Sequence, residues 1–244
     1  YLNYSKICSQ DNLFTCRNIM TENIKKYSSF DSLNQFEKNT CNFIIETANK
    51  SIQEKDSFLI VLCGGSTPKN IYSKLKKEVT DWSKWHVFFG DERCFPKNHN
   101  CRNSLMAKEI FLDDVPIPRD QIHYIQSELG NKVAANLYND LLKKIGFFDL
   151  VLLGFGEDGH IASLFPDHYW DNTIDAVPIF DAPKPPSDRI SITARRLSQT
   201  EKVLFIISGK NKNESFKRWQ IKKDLPASLI SARKEVVIYT YDVI

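Results

Sequence analysis

Residues 58–68 read FLIVLCGGSTP. Six apolar residues, with branched Ile60 and Val61 at their centre, stop at two glycines and a Ser-Thr-Pro triplet. A run this short, apolar at every position rather than at alternate ones, is the pattern of a strand buried on both faces. Paired glycines then permit a tight turn, Ser or Thr before Pro offers a helix cap, and proline suits a first helical turn. The segment is a strand, a turn and the start of a helix, which predicts a sheet with parallel strands.

The same unit recurs on either side. Upstream, Leu33, Phe36, Phe43, Ile44, Ala48 and Ile52 fall near helical spacing. Downstream, HVFFG (86–90), LVLLG (150–154), VLFIIS (203–208) and EVVIYTY (235–241) read as strands, as do residues 189–193. Helices are expected near Ser104–Phe111, over 128–145, where Val133, Leu137 and Leu141 lie four apart, and after Lys212. The alternation predicts an α/β fold, a Rossmann-like, mostly parallel sheet with helices on both faces. Residues 1–31, rich in Asn, Ser and Lys without sustained periodicity, read as a polar arm, and 32–244 as a single domain. The proline-rich segment 178–186 reads as a surface connection. The chain opens on Tyr1 rather than Met, so a trimmed chain, or one domain of a longer polypeptide, is expected.

Composition narrows the function classes. Hydrophobic residues make up 42% and charged residues 26%, an ordinary globular balance. A net charge of +3, with acidic and basic residues interspersed, argues against nucleic acid as a partner. No apolar stretch reaches the length of a membrane span. The six cysteines form no CxxC pair, so neither a zinc ribbon nor a dithiol redox motif is indicated, and a reducing, cytoplasmic compartment fits. Cys63, inside an apolar run, reads as a small buried hydrophobe. Cys94 and Cys101 read as two exposed thiols.

In a parallel sheet, ligands bind beyond the carboxyl ends of the strands. The loops after Cys63, Phe89, Leu153 and Ile207 are therefore the ones that bear on function. The first holds Gly64, Gly65, Ser66 and Thr67, where free N–H groups and a helix dipole would favour an anion; an ordinary tight turn is the plainer alternative. The second holds Asp91, Glu92 and Arg93, either a solvated charged loop or a cleft wall with an inward guanidinium. The third, LGFGEDGHIASLFP (153–166), spends three of the nine glycines of the chain around His160, with Asp158 two residues before it. Gly154, Gly156 and Gly159 would let the loop fold back over the strand end. A carboxylate beside an imidazole can fix its tautomer, as a general base requires. Arg189 and Lys212 are cations placed for a phosphate or for plain solvent exposure. HExxH, Gx4GK[ST] and GxSxG motifs do not occur, and GFGEDG lacks the later acidic partner of a dinucleotide fingerprint.

Together these motifs resemble the 6-phosphogluconolactonases. GGSTP (64–68), GDERCFP (90–96) with Asn103 beyond it, LGFGEDGHIASLFP (153–166), DRISIT (188–193), GKNK (209–212) and LPASL (225–229) fall in family order across residues 33 to 241. The related hexosamine-phosphate isomerase/deaminases share the first loop and the DGH element, but usually carry an aromatic residue where this chain has Arg93, and an FNEP-like stretch where it has ASLFP. The chain departs from the lactonase pattern at Phe95, Cys101, Arg102 and Ser198.

The resemblance implies hydrolysis of 6-phospho-D-glucono-1,5-lactone, with neither cofactor nor metal. It implies His160 as general base, Asp158 orienting its ring and Arg93 facing the carbonyl oxyanion. Arg189 and Lys212, with the N–H groups of Gly65–Thr67, would hold the 6-phosphate, and Asp91 and Asn103 would meet sugar hydroxyls or brace the loop. A glucose-6-phosphate dehydrogenase, fused or associated, is the implied partner. A hexosamine-6-phosphate isomerase/deaminase and a silent sugar-phosphate-binding module are the alternatives.

Overall fold

A computed structural model describes residues 24–243 of the chain. In chain order the elements are strand β1 (Ile24–Phe30), helix α1 (Leu33–Lys55), β2 (Phe58–Leu62), α2 (Ser66–Leu75), β3 (Trp85–Phe89), β4 (Asp91–Arg93) and α3 (Asn103–Ala107). There follow β5 (Ile122–His123), α4 (Asn131–Leu142), β6 (Phe148–Leu153), β7 (Ala176–Ile179), β8 (Arg189–Ile192), α5 (Ala194–Leu197), β9 (Thr200–Ser208), α6 (Asn213–Lys222) and β10 (Glu235–Tyr241).

Among the described residues, seven strands form one parallel sheet in the order β1-β10-β9-β6-β2-β3-β5. The chain runs outward from β2 through β3 to β5, then returns to β6 and runs the other way through β9 to β10. The reversal lies between β2 and β6, which pair through Ile60–Leu150 and Val61–Val151. All four side chains are fully buried, and burying each contributes about 1.5–3 kcal/mol. At such a switch point the two following loops diverge and leave a crevice.

Helix α1 starts at Ser32, whose side chain accepts from Gln35 N at 3.3 Å, and ends at Asp56 in a left-handed conformation. Phe36, Ile44 and Ala48 face the core, as their spacing predicts. Trp85 and Phe58 meet edge to face at 4.7 Å beneath the next helix layer.

Four expectations are corrected. Residues 24–30 are not part of an arm: they form the parallel edge strand β1, in register with Glu235–Tyr241. Tyr27 reaches the Thr240 hydroxyl at 3.1 Å and Phe30 packs on Tyr239 at 5.0 Å. An edge strand pairs on one side only, so it needs few apolar residues, and its polar sequence hid it. The remainder of the predicted arm, with Cys8 and Cys16, lies outside the described residues.

Helix α4 is shorter than predicted, and Val133 and Leu137 face outward, while Ala134, Ala135, Tyr138 and Leu142 are buried. The small alanines let the helix approach β7 and β8, which outweighs the larger residues on the other side. Residues 189–192 do form a strand, but in a second, antiparallel sheet of order β4-β8-β7. The cap of α2 is Gly65 at φ 115°, with Ser66 and Thr67 already inside the helix. A side chain is disfavoured at that φ, which is what the glycine supplies.

Candidate active site

The crevice at the β2–β6 switch point opens into a cavity of about 460 Å³. Its floor is Cys63 and the first turn of α2; its walls come from strands β4 and β8, which carry Arg93 and Arg189, and from the loops after β6 and β9, which carry His160 and Lys212. The four loops singled out by sequence thus meet at one place, although they are up to 150 residues apart in the chain.

His160 Nδ1 lies 2.5 Å from Asp158 Oδ1, and the same oxygen accepts from His160 N at 3.1 Å. Burial would raise the Asp158 carboxyl, but the hydrogen bond and charge of the imidazole outweigh it and hold the group at about 2. An ionised carboxylate only accepts, so in the neutral form of the ring the proton belongs on Nδ1 and the lone pair on Nε2. The ring lies 4.8 Å from that of Phe165, and the Arg189 guanidinium also sits over Phe165, at 5.4 Å.

Gly156 explains much of the glycine density around His160. A Cβ there would stand 2.1 Å from His160 Nδ1 and 2.5 Å from Asp158 Oδ1. Gly159, at φ 88°, turns the loop beneath Leu225, whereas Gly154 would admit a side chain, its nearest neighbour being 3.9 Å away. Gly156→Ala is therefore expected to push the imidazole aside and lower kcat about 100-fold, the cost of an ångström-scale misplacement. Unchanged turnover in that variant would mean that the ring's position is unimportant.

The second sheet places two cations together. In the β4–β8 register Arg93 is directly opposite Arg189, an arrangement of like charges that destabilises a sheet unless an anion lies between them. Arg93 Nη1 donates to Cys101 O at 2.6 Å, and its Nε is buried without a hydrogen-bond partner among the described residues. Arg189, only 4% exposed, donates to Lys184 O at 2.6 Å and Pro186 O at 3.1 Å. Burial pulls its ionisation downward, against the nearby Asp91 carboxylate. The proline-rich segment is accordingly a cavity wall clamped by Arg189, not a plain surface connection.

Asp91 is buried beneath these arginines. It accepts from the Asn103 amide at 3.0 Å and from Ser163 Oγ at 2.6 Å, so it joins the loops after β4 and β6. Asn103 packs on Gly64, where a Cβ would lie 1.8 Å from its side-chain oxygen. Among the described residues, no carboxylate comes within ion-pair distance of the Lys212 ammonium. Burial pulls its ionisation down, opposed by Glu157 and reinforced by Lys184. Cys63 lines the floor, and burial pushes its thiol up to about 12, which leaves it a protonated hydrophobe.

Sequence reasoning missed Ser163 and Lys184, and noted Glu157 only as a second carboxylate beside Asp158. Lys184 pairs with Glu157 at 3.2 Å, and Asn211 donates to the same carboxylate at 2.6 Å, joining three loops across the rim. Ser163 stood inside a motif already singled out, but its partner, 72 residues away, was invisible. A larger cavity of about 690 Å³ lies behind the loop after β4. Its histidine, His123, stacks on Phe88 at 4.4 Å, and its Nε2 is buried without a hydrogen-bond partner among the described residues. Among the described residues, no group of three or more His, Cys, Asp or Glu could hold a metal ion, and no helix is long and apolar enough to cross a membrane.

Residues 31–239 match the family model described as glucosamine-6-phosphate isomerases/6-phosphogluconolactonase. The chain is 34% identical over 242 residues to 6-phosphogluconolactonase 3, chloroplastic, of Arabidopsis thaliana, covering 90% of this chain and 74% of that one. It is 34% identical over 194 residues to the 6-phosphogluconolactonase of Thermotoga maritima, covering 77% and 86%. The crystal structure of a Thermotoga maritima 6-phosphogluconolactonase superposes with a TM-score of 0.82 at 26% identity, covering 89% of this chain and 99% of that one. The family model spans most of the chain, and the chain belongs to the glucosamine-6-phosphate isomerase/6-phosphogluconolactonase family.

Proposed function

We propose that the chain hydrolyses 6-phospho-D-glucono-1,5-lactone to 6-phospho-D-gluconate, a step of the oxidative pentose phosphate pathway. The observation that carries this reading is an imidazole oriented by a carboxylate, set in one cavity with a facing pair of arginines and a lysine. A binding module has no need of an oriented base.

In this mechanism His160 Nε2 takes a proton from water, and the resulting hydroxide adds to C1 of the lactone. Asp158 keeps the ring in the required tautomer and stabilises the imidazolium. Arg93 faces the charge that develops on the carbonyl oxygen. The C1–ring oxygen bond then breaks, and the imidazolium returns its proton to the departing C5 oxygen. A lactone is an activated ester, so a base and an electrophile suffice without a covalent nucleophile.

Lys212 carries most of the contact with the 6-phosphate, supported by the charge of Arg189 and the N–H groups of Gly65–Thr67. With two of its donors already on carbonyls of the cavity wall, Arg189 acts more through charge than through new hydrogen bonds. Asp91 and Asn103 brace the loop that presents Arg93. A glucose-6-phosphate dehydrogenase, fused or associated, is the partner this chemistry implies, since it makes the lactone. The cytoplasm is the proposed compartment, in keeping with the four free cysteines among the described residues.

The reading is tested by a lactone hydrolysis assay corrected for spontaneous opening, together with a thermal shift on adding 6-phosphogluconate. Stabilisation without turnover would leave only a binding module. Within the same assay, Lys212→Ala is expected to raise KM about tenfold or more with little change in kcat, because a phosphate contact exists in ground and transition states alike. The defect should largely vanish with unphosphorylated gluconolactone. Equal losses on both lactones would remove Lys212 from the phosphate site.

A further inference from the structure

Behind the cavity wall lies a buried charge cluster that the mechanism above does not use. Arg102, 4% exposed, directs its guanidinium at three groups from two other segments. Nη1 donates to Glu128 Oε2 at 2.9 Å, Nη2 donates to Ile125 O at 2.9 Å, and Nε stands 3.5 Å from Glu92 Oε2. Glu92 is fully buried, and its carboxylate accepts from the backbone N–H groups of Arg93, Asn103 and Ser104 at 2.8–2.9 Å. Lys97 approaches Glu128 from the outside at 3.4 Å.

Arg102's own segment, and the 125–128 segment that it ties down, both grip the strand of Arg93. The residue before it, Cys101, supplies the carbonyl that accepts from Arg93 Nη1. The 125–128 segment supplies Ser127, whose hydroxyl donates to Arg93 O at 2.9 Å. The residue after it, Asn103, holds Asp91, the other end of the same short strand. Without Arg102, the carbonyl that aims the Arg93 guanidinium and the hydroxyl that holds its backbone would no longer be tied together.

We propose that Arg102 is a positioning residue for the hydrolysis: by joining Glu92, Glu128 and Ile125 it sets the direction of the Arg93 guanidinium. The proposal rests on the lactonase reading for its kinetic consequence. It predicts a defect in the transition state and not in substrate binding, and one that exists only while Arg93 is present.

The test is a double-mutant cycle on the lactone. Arg102→Met is expected to lower kcat about 10- to 100-fold, the range for misplacing a reacting group by up to an ångström, with KM changed less than about threefold. Arg102→Lys keeps the charge beside Glu92 but not the fork, and should recover part of the loss. In an Arg93→Ala background, Arg102→Met should cost less than about twofold more, since the two act as one unit. Equal losses in both backgrounds would overturn the proposal, as would full activity in folded Arg102→Met. Should Arg102→Met not fold, Glu128→Gln loosens only the 125–128 tie and enters the same cycle, with the same outcome deciding. A readout independent of turnover is the Arg93 Nε–H resonance, assigned by its loss in Arg93→Ala. It should shift in Arg102→Met, and an unmoved signal would sink the proposal even if the wild-type protein were silent on the lactone. That silence would count against the proposed function alone.

Discussion

His160→Asn is expected to lower kcat by about two to four orders of magnitude, the usual worth of a general base, while 6-phosphogluconate still stabilises the protein against heat. Asparagine keeps a polar group of similar reach and can still bond to Asp158, so the loop should hold its shape. What it cannot do is accept the proton of the attacking water. The Asp158 carboxyl, held at about 2, remains ionised through the assay range, so loss of activity on acidification above a pH of about 4 belongs to another group. The uncatalysed opening of the lactone must be subtracted at every pH. Turnover near the wild-type rate in His160→Asn would remove this residue from the mechanism.

Arg93→Ala carries the second large effect. A donor aimed at developing negative charge contributes more as the charge grows, so its removal should depress kcat about 100- to 1,000-fold, more than it raises KM. Arg93→Lys keeps the charge and loses the planar fork, and should recover only part of the rate. The register pairing with Arg189 makes the result informative. Deleting one of two facing cations relieves their repulsion, so the protein itself should not lose stability on that account. A defect in KM alone would move Arg93 to the phosphate and leave the oxyanion without a donor. The deaminase alternative requires no cation at this position and predicts ammonia from glucosamine-6-phosphate. The expected result is none; ammonia release at an enzymatic rate would displace the lactone as substrate.

The site was legible where its chemistry is local. Asp158 and His160 are two residues apart, and a short turn brings a carboxylate at that spacing onto the ring. Gly156 is legible for the same reason, because the side chains it makes room for lie within four residues. Arg189 and Lys212 carried no such signal, since a cation at a strand end reads the same whether it faces a cavity or the solvent. Only the neighbours of Arg189, the carbonyls of Lys184 and Pro186, show that it is buried and holds a wall.

The sequence by itself determined the class of fold and where to look. Five apolar runs followed by polar or glycine-rich loops specify buried parallel strands, and parallel strands put their ligand at the carboxyl ends. It could not show the pairing order. Period and propensity act over a few residues, whereas the β2–β6 reversal joins positions 90 apart and depends on how the whole set of helices covers the sheet. For the same reason β1 was hidden, because its register is imposed by β10 at the far end of the chain. The facing arginines, the Ser163–Asp91 contact and the Arg102 cluster also join segments far apart in the chain. Tertiary structure decided them because a buried charge is placed by the partners that compensate it, and those partners are distant in sequence.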